Sequence, residues 1–322
     1  MTEVTRREFL RIAAAAAAAG GLAAAGCGRR TAQAPPSEAE SRAASPLSVP
    51  SDRKTPYMVV VHGADTAMIT RLAIDTLGGM GRFVKKGADV IVKPNICTDA
   101  HGPEYAATTN PTVVATLVTL CLEADASRVR VMDNPFGGPP ESSYEVSGIG
   151  AAVKAAGGRM EIMSESKFAR YQIPDGRDIT SWTFYRDVLE ADTLINVPIC
   201  KDHGVTRLTL GGKNIMGVVL DRGQIHQNIS QRIAELVSVV RPTLTVVDAV
   251  RILTAGGPTG GDLGAVEKLD TVVASPDIVA ADSYATSFFD LTPHDIGYIP
   301  AMAAMGLGRM TVKQSEIEEL SV

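Results

Sequence analysis

Asp89-Val90-Ile91-Val92-Lys93-Pro94-Asn95 decides the fold. Its apolar residues run without a polar alternate, so both faces of the strand they form must be buried, as in a parallel strand covered by helices on either side. Working outward, similar Val- and Ile-rich runs recur at 57–61, 128–132, 160–163, 193–197, 244–247 and 271–274. Helix-like stretches lie between them, near 66–80, 111–123, 143–156, 229–240 and 277–289. The alternation predicts an α/β fold, a layered and mostly parallel sheet with helices on both faces and right-handed crossovers, with room for two subdomains.

Polar residues collect where the runs stop: His62-Gly63, Lys93-Pro94-Asn95, Asp133-Asn134-Pro135, Asn196-Val197-Pro198 and Asp248. Ligands of open α/β sheets sit beyond the carboxyl ends of the strands, so these loops are the expected wall of a site. Turn chemistry alone accounts for Asn, Asp, Pro and Gly there. It does not account for His62 or Lys93.

The chemistry is densest in Ile199-Cys200-Lys201-Asp202-His203-Gly204-Val205-Thr206-Arg207-Leu208-Thr209-Leu210-Gly211-Gly212-Lys213-Asn214, which leaves a buried run and gathers ionisable groups among glycines. Such groups are costly unless they meet something polar. Lys93, Lys201 and Lys213, with Asn95, Thr206, Arg207, Gly211, Gly212 and Asn214, are read as the binding set for a small anion, phosphate or carboxylate. For Lys201 and Arg207 a solvated loop face is the competing reading. Lys213 lacks the upstream glycine and following hydroxyl of a P-loop, which disfavours nucleotide hydrolysis. Catalytic roles are expected for His203, Lys201 and Lys213. A transition metal is a second reading for His203 and His226, completed by Asp202 or Asp221.

Elsewhere, Asp277 is expected to start a helix and Asn228 to cap one. The loop Gly256-Gly257-Pro258-Thr259-Gly260-Gly261-Asp262 is a lid or a plain connector. No Gly-x-Ser-x-Gly elbow is present, and Cys200 is noted for its closeness to His203.

Four blocks carry a resemblance: Val92-Lys93-Pro94-Asn95; Asn196-Val197-Pro198 continuing to Lys201-x-His203-Gly204-x-Thr206; Gly212-Lys213-Asn214-x-x-Gly217; and Ala274-Ser275-Pro276-Asp277-Ile278-Val279-Ala280-Ala281-Asp282. They resemble the family known as domain of unknown function 362, across residues 57–290. Many of its members attach a ferredoxin-like cluster domain, so this chain is identified as the cluster-free form. A local similarity to lactate racemases also exists. In those enzymes a His precedes by ten residues the Lys that bears a nickel pincer nucleotide, as His203 precedes Lys213, with Gly211-Gly212 before that Lys and His226 beyond. The resemblance implies a racemase-like or redox reaction on an organic acid, by an isomerase or an oxidoreductase. The alternative from another class is a non-catalytic binding protein for an anion or metal.

The remaining sequence concerns address and composition. Arg6-Arg7-Glu8-Phe9-Leu10 followed by an uncharged Ala- and Gly-rich run, residues 12–26, reads as a twin-arginine signal peptide over residues 1–27. That run falls short of the roughly 20 apolar residues of a membrane span. Ala24-Ala25-Gly26-Cys27 resembles a lipoprotein processing site, with plain cleavage as the competing outcome. Residues 28–56 read as a Pro-, Ser- and Ala-rich linker, and 57–322 as the folded domain. The expected partners are the export machinery and a small anionic ligand, with the membrane reached only through a lipid anchor and the protein placed in the periplasm or on the outer membrane face. A net charge of −5 gives no basis for nucleic-acid binding. Cys97, Cys121 and Cys200 form no Cys-x-x-Cys pair, so no iron–sulfur cluster of the usual spacing is expected.

Overall fold

The computed structural model describes residues 55–322; the signal peptide with Arg6, Arg7 and Cys27, and nearly all of the linker, lie outside the described residues. Twelve strands form among those residues. They are β1 (Met58–His62), β2 (Asp89–Pro94), β3 (Arg128–Val131), β4 (Arg159–Met160), β5 (Phe168–Gln172), β6 (Ser181–Tyr185), β7 (Thr193–Val197), β8 (Ile199–His203), β9 (Arg207–Thr209), β10 (Leu244–Leu253), β11 (Val266–Ser275) and β12 (Ile317–Ser321). Ten make one sheet in the order β12-β1-β11-β10-β7-β2-β3-β4, with β8 paired to β10 and β9 to β8. Strands β5 and β6 make a separate hairpin.

Alternation along the strands builds two cores. Met58, Val60, Ile91, Leu194, Val247 and Val273 face one layer, which includes the helices Ile229–Val240, Ile278–Ala285 and Tyr298–Ala304. Val59, Val61, Val90, Val92, Ile195, Val246 and Val272 face the other, under Thr66–Thr76 and Pro111–Glu123. Each fully buried Val, Leu or Ile contributes about 1.5–3 kcal/mol by leaving water, which is why the double-sided runs dominate the fold. The α/β sheet covered by helices on both faces is therefore present, and it is a single continuous sheet.

Four details differ from the sequence expectation. Strand β11 runs antiparallel to both β10 and β1, so the sheet is mixed. The cause is the short link from β10 to β11, which contains no crossover helix, and a parallel return requires one. The expected helix 143–156 divides into Pro140–Val146 and Ile149–Ala155, because Gly148 takes a left-handed φ of 70° between them. The 160–163 run pairs only through Arg159–Met160. Helix Ile278–Ala285 is capped by Asp277, whose carboxylate accepts from the Val279 and Ala280 amides, whereas Asn228 occupies the cap position of Ile229–Val240 without a side-chain bond.

Candidate functional site

At the carboxyl ends of β2 and β7, a cavity of about 530 Å³ opens among residues from β2, β8, β9 and the turn Gly211–Asn214. Lys93 lies on the same face of β2 as Ile91, with its side chain fully buried. Its ammonium donates to the Pro94 carbonyl at 2.9 Å and to Asn214 Oδ1 at 3.0 Å, and it forms a 2.7 Å ion pair with Asp133 Oδ1 that lacks hydrogen-bond alignment. Gly217 crosses directly over this pair; a Cβ there would overlap Asp133 Oδ1 and come within 2.7 Å of the Lys93 ammonium. Only glycine allows that approach. Asn214 holds the floor together, accepting from Asn95 Nδ2 at 3.1 Å and donating to Asn196 Oδ1 at 2.8 Å.

The dense polar segment is a hairpin. Strands β8 and β9 pair Lys201 with Thr209 and His203 with Arg207. Period-two alternation sends Lys201, His203 and Thr209 to the cavity and Asp202 to the opposite side, where its carboxylate accepts from the Gly257 amide at 2.9 Å. The Lys201 ammonium, 1 % exposed, donates to the Ala107 carbonyl at 2.6 Å and the Pro258 carbonyl at 2.9 Å. The glycine-rich loop is thus fastened to the cavity wall by Asp202 and Lys201.

Lys213 differs from the other cations. No hydrogen bond or ion pair engages its ammonium among the described residues. Burial, together with repulsion from Lys201 and Arg222, lowers its pKa to about 8. Burial also lowers the pKa of Lys93, Lys201 and Arg222. Arg222 is anchored by the Asn134 and Pro135 carbonyls at 2.8 and 3.0 Å. Four cations therefore meet one carboxylate, Asp133, which Lys93 already occupies. Two further groups in the cavity, Thr209 Oγ1 and Asn95 Oδ1, are buried without a partner.

The two histidines stand in opposite tautomers. His203 Nδ1 accepts from the backbone amides of Val205 at 3.1 Å and Thr206 at 3.4 Å, so in the neutral ring Nε2 carries the proton. Burial and the nearby Lys213 and Lys201 hold His203 neutral, with a pKa of about 4. His226 Nδ1 lies 3.0 Å from the Arg222 carbonyl, which only accepts, so its Nε2 presents a lone pair. A metal-binding imidazole normally donates from the nitrogen that does not bind the metal. His226 satisfies that condition and His203 does not. Among the described residues no three His, Cys, Asp or Glu side chains converge closely enough to hold a metal ion, and Asp221 is exposed outside the cavity. The donor set does not fit a nickel centre, although the unpartnered amine of Lys213 suits covalent attachment.

Several expected ligand contacts are corrected. Thr206 is turned inward, its hydroxyl donating to the Leu208 carbonyl at 3.0 Å. Arg207 adopts a left-handed φ of 63° and pairs with Asp295 at 2.9 Å, away from the cavity. The Gly211 and Gly212 amides are taken by the buried Asp282 carboxylate at 2.6 and 2.8 Å, which leaves them closed to a ligand. Burial raises the pKa of Asp282 to about 7. His62 contacts Thr271 and Glu319 on the strands to either side of it, and it does not line the cavity. Cys200 is sealed in the core, where burial raises its thiol pKa well above the ordinary value. Sequence reasoning missed Arg222, Thr209 and Cys97 as cavity residues; the period-two pattern Lys201-x-His203 was the available signal for the first hairpin strand.

Comparison with known proteins gives three findings. A thylakoid-associated protein of Synechocystis sp. is 28% identical over 247 residues, 74% of each chain. The lactate racemase apoprotein from Thermoanaerobacterium thermosaccharolyticum superposes with a TM-score of 0.45 at 10% identity, covering 76% of this chain and 58% of that one, so this chain spans little more than half its length. The family model described as domain of unknown function (DUF362) matches residues 90–287. Since that match takes in well over half of the sequence, the chain belongs to the DUF362 family.

Proposed function

We propose that this protein is an enzyme that binds a small organic acid at Lys213 and Arg222 and moves a proton at the carbon beside its carboxylate, a racemase-like reaction. The observation that carries the reading is the partnerless Lys213 ammonium, set among other cations in a cavity whose single carboxylate is already engaged. Unpaired buried charge is expensive, and an anionic ligand is what would offset it. The opposed histidines supply the chemistry: His226 Nε2 accepts the proton, and the neutral His203 Nε2–H donates a hydrogen bond to the charge that develops on the substrate. A pKa of about 8 lets Lys213 hold the carboxylate in its charged form at neutral pH.

The test is NMR-detected exchange of the α-proton of 2-hydroxy and dicarboxylic acids in heavy water, with wild type and with His226→Gln. Loss of the α-proton signal in wild type alone supports the enzyme. Binding without exchange assigns the cavity to a non-catalytic anion-binding protein. We further propose that the protein works outside the cytoplasm, held to a membrane by lipid on Cys27. The twin-arginine motif and the thylakoid association of the Synechocystis relative support this, and no helix among the described residues is long and apolar enough to cross a membrane.

A further inference from the structure

Cys97 has no role in that reaction, yet its side chain, 5 % exposed, lines the same cavity. Its thiol donates to the Pro258 carbonyl at 3.3 Å, the same carbonyl that accepts from Lys201. Lys201, Lys213 and Arg222 all lie within electrostatic reach of the sulfur. The contrast with the other two cysteines is chemical. Cys121 and Cys200 are packed in apolar surroundings, and burial pushes the Cys121 thiol up to about 12. Sulfur is the nucleophile in cysteine chemistry, and Cys97, unlike the other two, lines a cavity beside cations that would draw in an anionic electrophile.

A second, independent feature points to an occupant. Thr209, 3 % exposed, places its hydroxyl in this cavity without a hydrogen-bond partner. Together with the free Lys213 ammonium it offers two donors to a carboxylate.

We propose that Cys97 is a nucleophile for carbon electrophiles that carry a carboxylate, with α,β-unsaturated acids as the substrate class. In the addition, the sulfur lone pair forms a bond to the β-carbon and the double-bond pair moves to the α-carbon. The proton lost by the thiol ends on that α-carbon, so S–H adds across the double bond and nothing is oxidised. The proposal rests on the cavity being an anion site.

The probe is competitive alkylation of the full chain by iodoacetate and iodoacetamide, each rate normalised to that with glutathione and read by mass spectrometry of the Cys97 peptide. Sulfur displaces iodide from either reagent, but only iodoacetate carries the charge. Iodoacetate should be preferred at Cys97 by about tenfold or more, the range expected of a charged cleft. Lys213→Met should shrink that preference severalfold, and excess malonate should protect the thiol. A Cys97 that stays unmodified in the folded protein, or that reacts with both reagents in the glutathione ratio, overturns the proposal. Malonate raising the melting temperature of the same sample would then show that the anion site stands and only the nucleophile has failed.

Discussion

Replacing Lys213 by Met should make the ligand-free protein more stable, because the side chain is held in the cavity at a cost. Its pKa falls from the ordinary 10.5 to about 8, through burial first and then repulsion from Lys201 and Arg222. At about 1.4 kcal/mol per pH unit, that fall corresponds to roughly 3 kcal/mol against the folded state, an upper figure. Below pH 8 the amine is charged in both states and the whole cost is present. Between 8 and 10.5 the unfolded chain holds the proton while the folded chain has lost it, so stability rises with pH and the cost fades. Methionine keeps the length without the charge. For a domain of this size about 1 kcal/mol moves Tm by roughly 2–4 °C, so the variant should melt about 5–10 °C higher at pH 7, with the gain vanishing near pH 10.5. Malonate at about 100 times its Kd should stabilise wild type by about 2.7 kcal/mol and leave the variant unmoved. Differential scanning calorimetry across that pH range reads all three effects. A variant that melts lower than wild type at pH 7 would refute the reasoning and make Lys213 a structural residue.

Three further outcomes are expected. Asp133→Asn strips the buried Lys93 of its counter-charge at 2.7 Å and should cost about 3–5 kcal/mol in urea unfolding, most of it recovered when Lys93→Met is added. Gly217→Ala should fold poorly or lose anion binding in calorimetric titration, since its methyl would displace the same ion pair. Between pH 6.5 and about 4 the unfolded His203 takes up a proton that the folded one refuses, so His203→Gln should gain stability relative to wild type as pH falls through that window, read as the difference between the two Tm-against-pH curves, while abolishing α-proton exchange.

The strands were legible where burial on both faces suppressed polar alternation, as in Val90-Ile91-Val92, and the helices where turn residues bracketed them, as in Pro111–Glu123 and Ile229–Val240. Direction was not legible for β11, because a short apolar run carries no sign of whether its neighbour is reached by a crossover or a hairpin. Within the site, Lys93, Lys201, His203, Lys213, Asn95, Asn214 and His226 were named from the sequence and lie around one cavity. Gly211 and Gly212 misled, because glycines that admit a ligand look the same in sequence as glycines whose amides receive a buried carboxylate from 70 residues away. Arg222 and Thr209 were missed because only the folded hairpin and the turn after Asp221 bring them to the cavity.

A crystal structure of the protein grown with malonate tests the central claim most directly. A malonate carboxylate within hydrogen-bond distance of both Lys213 Nζ and the Arg222 guanidinium is the predicted result. A cavity holding only water, with malonate confined to the surface or absent, would contradict it.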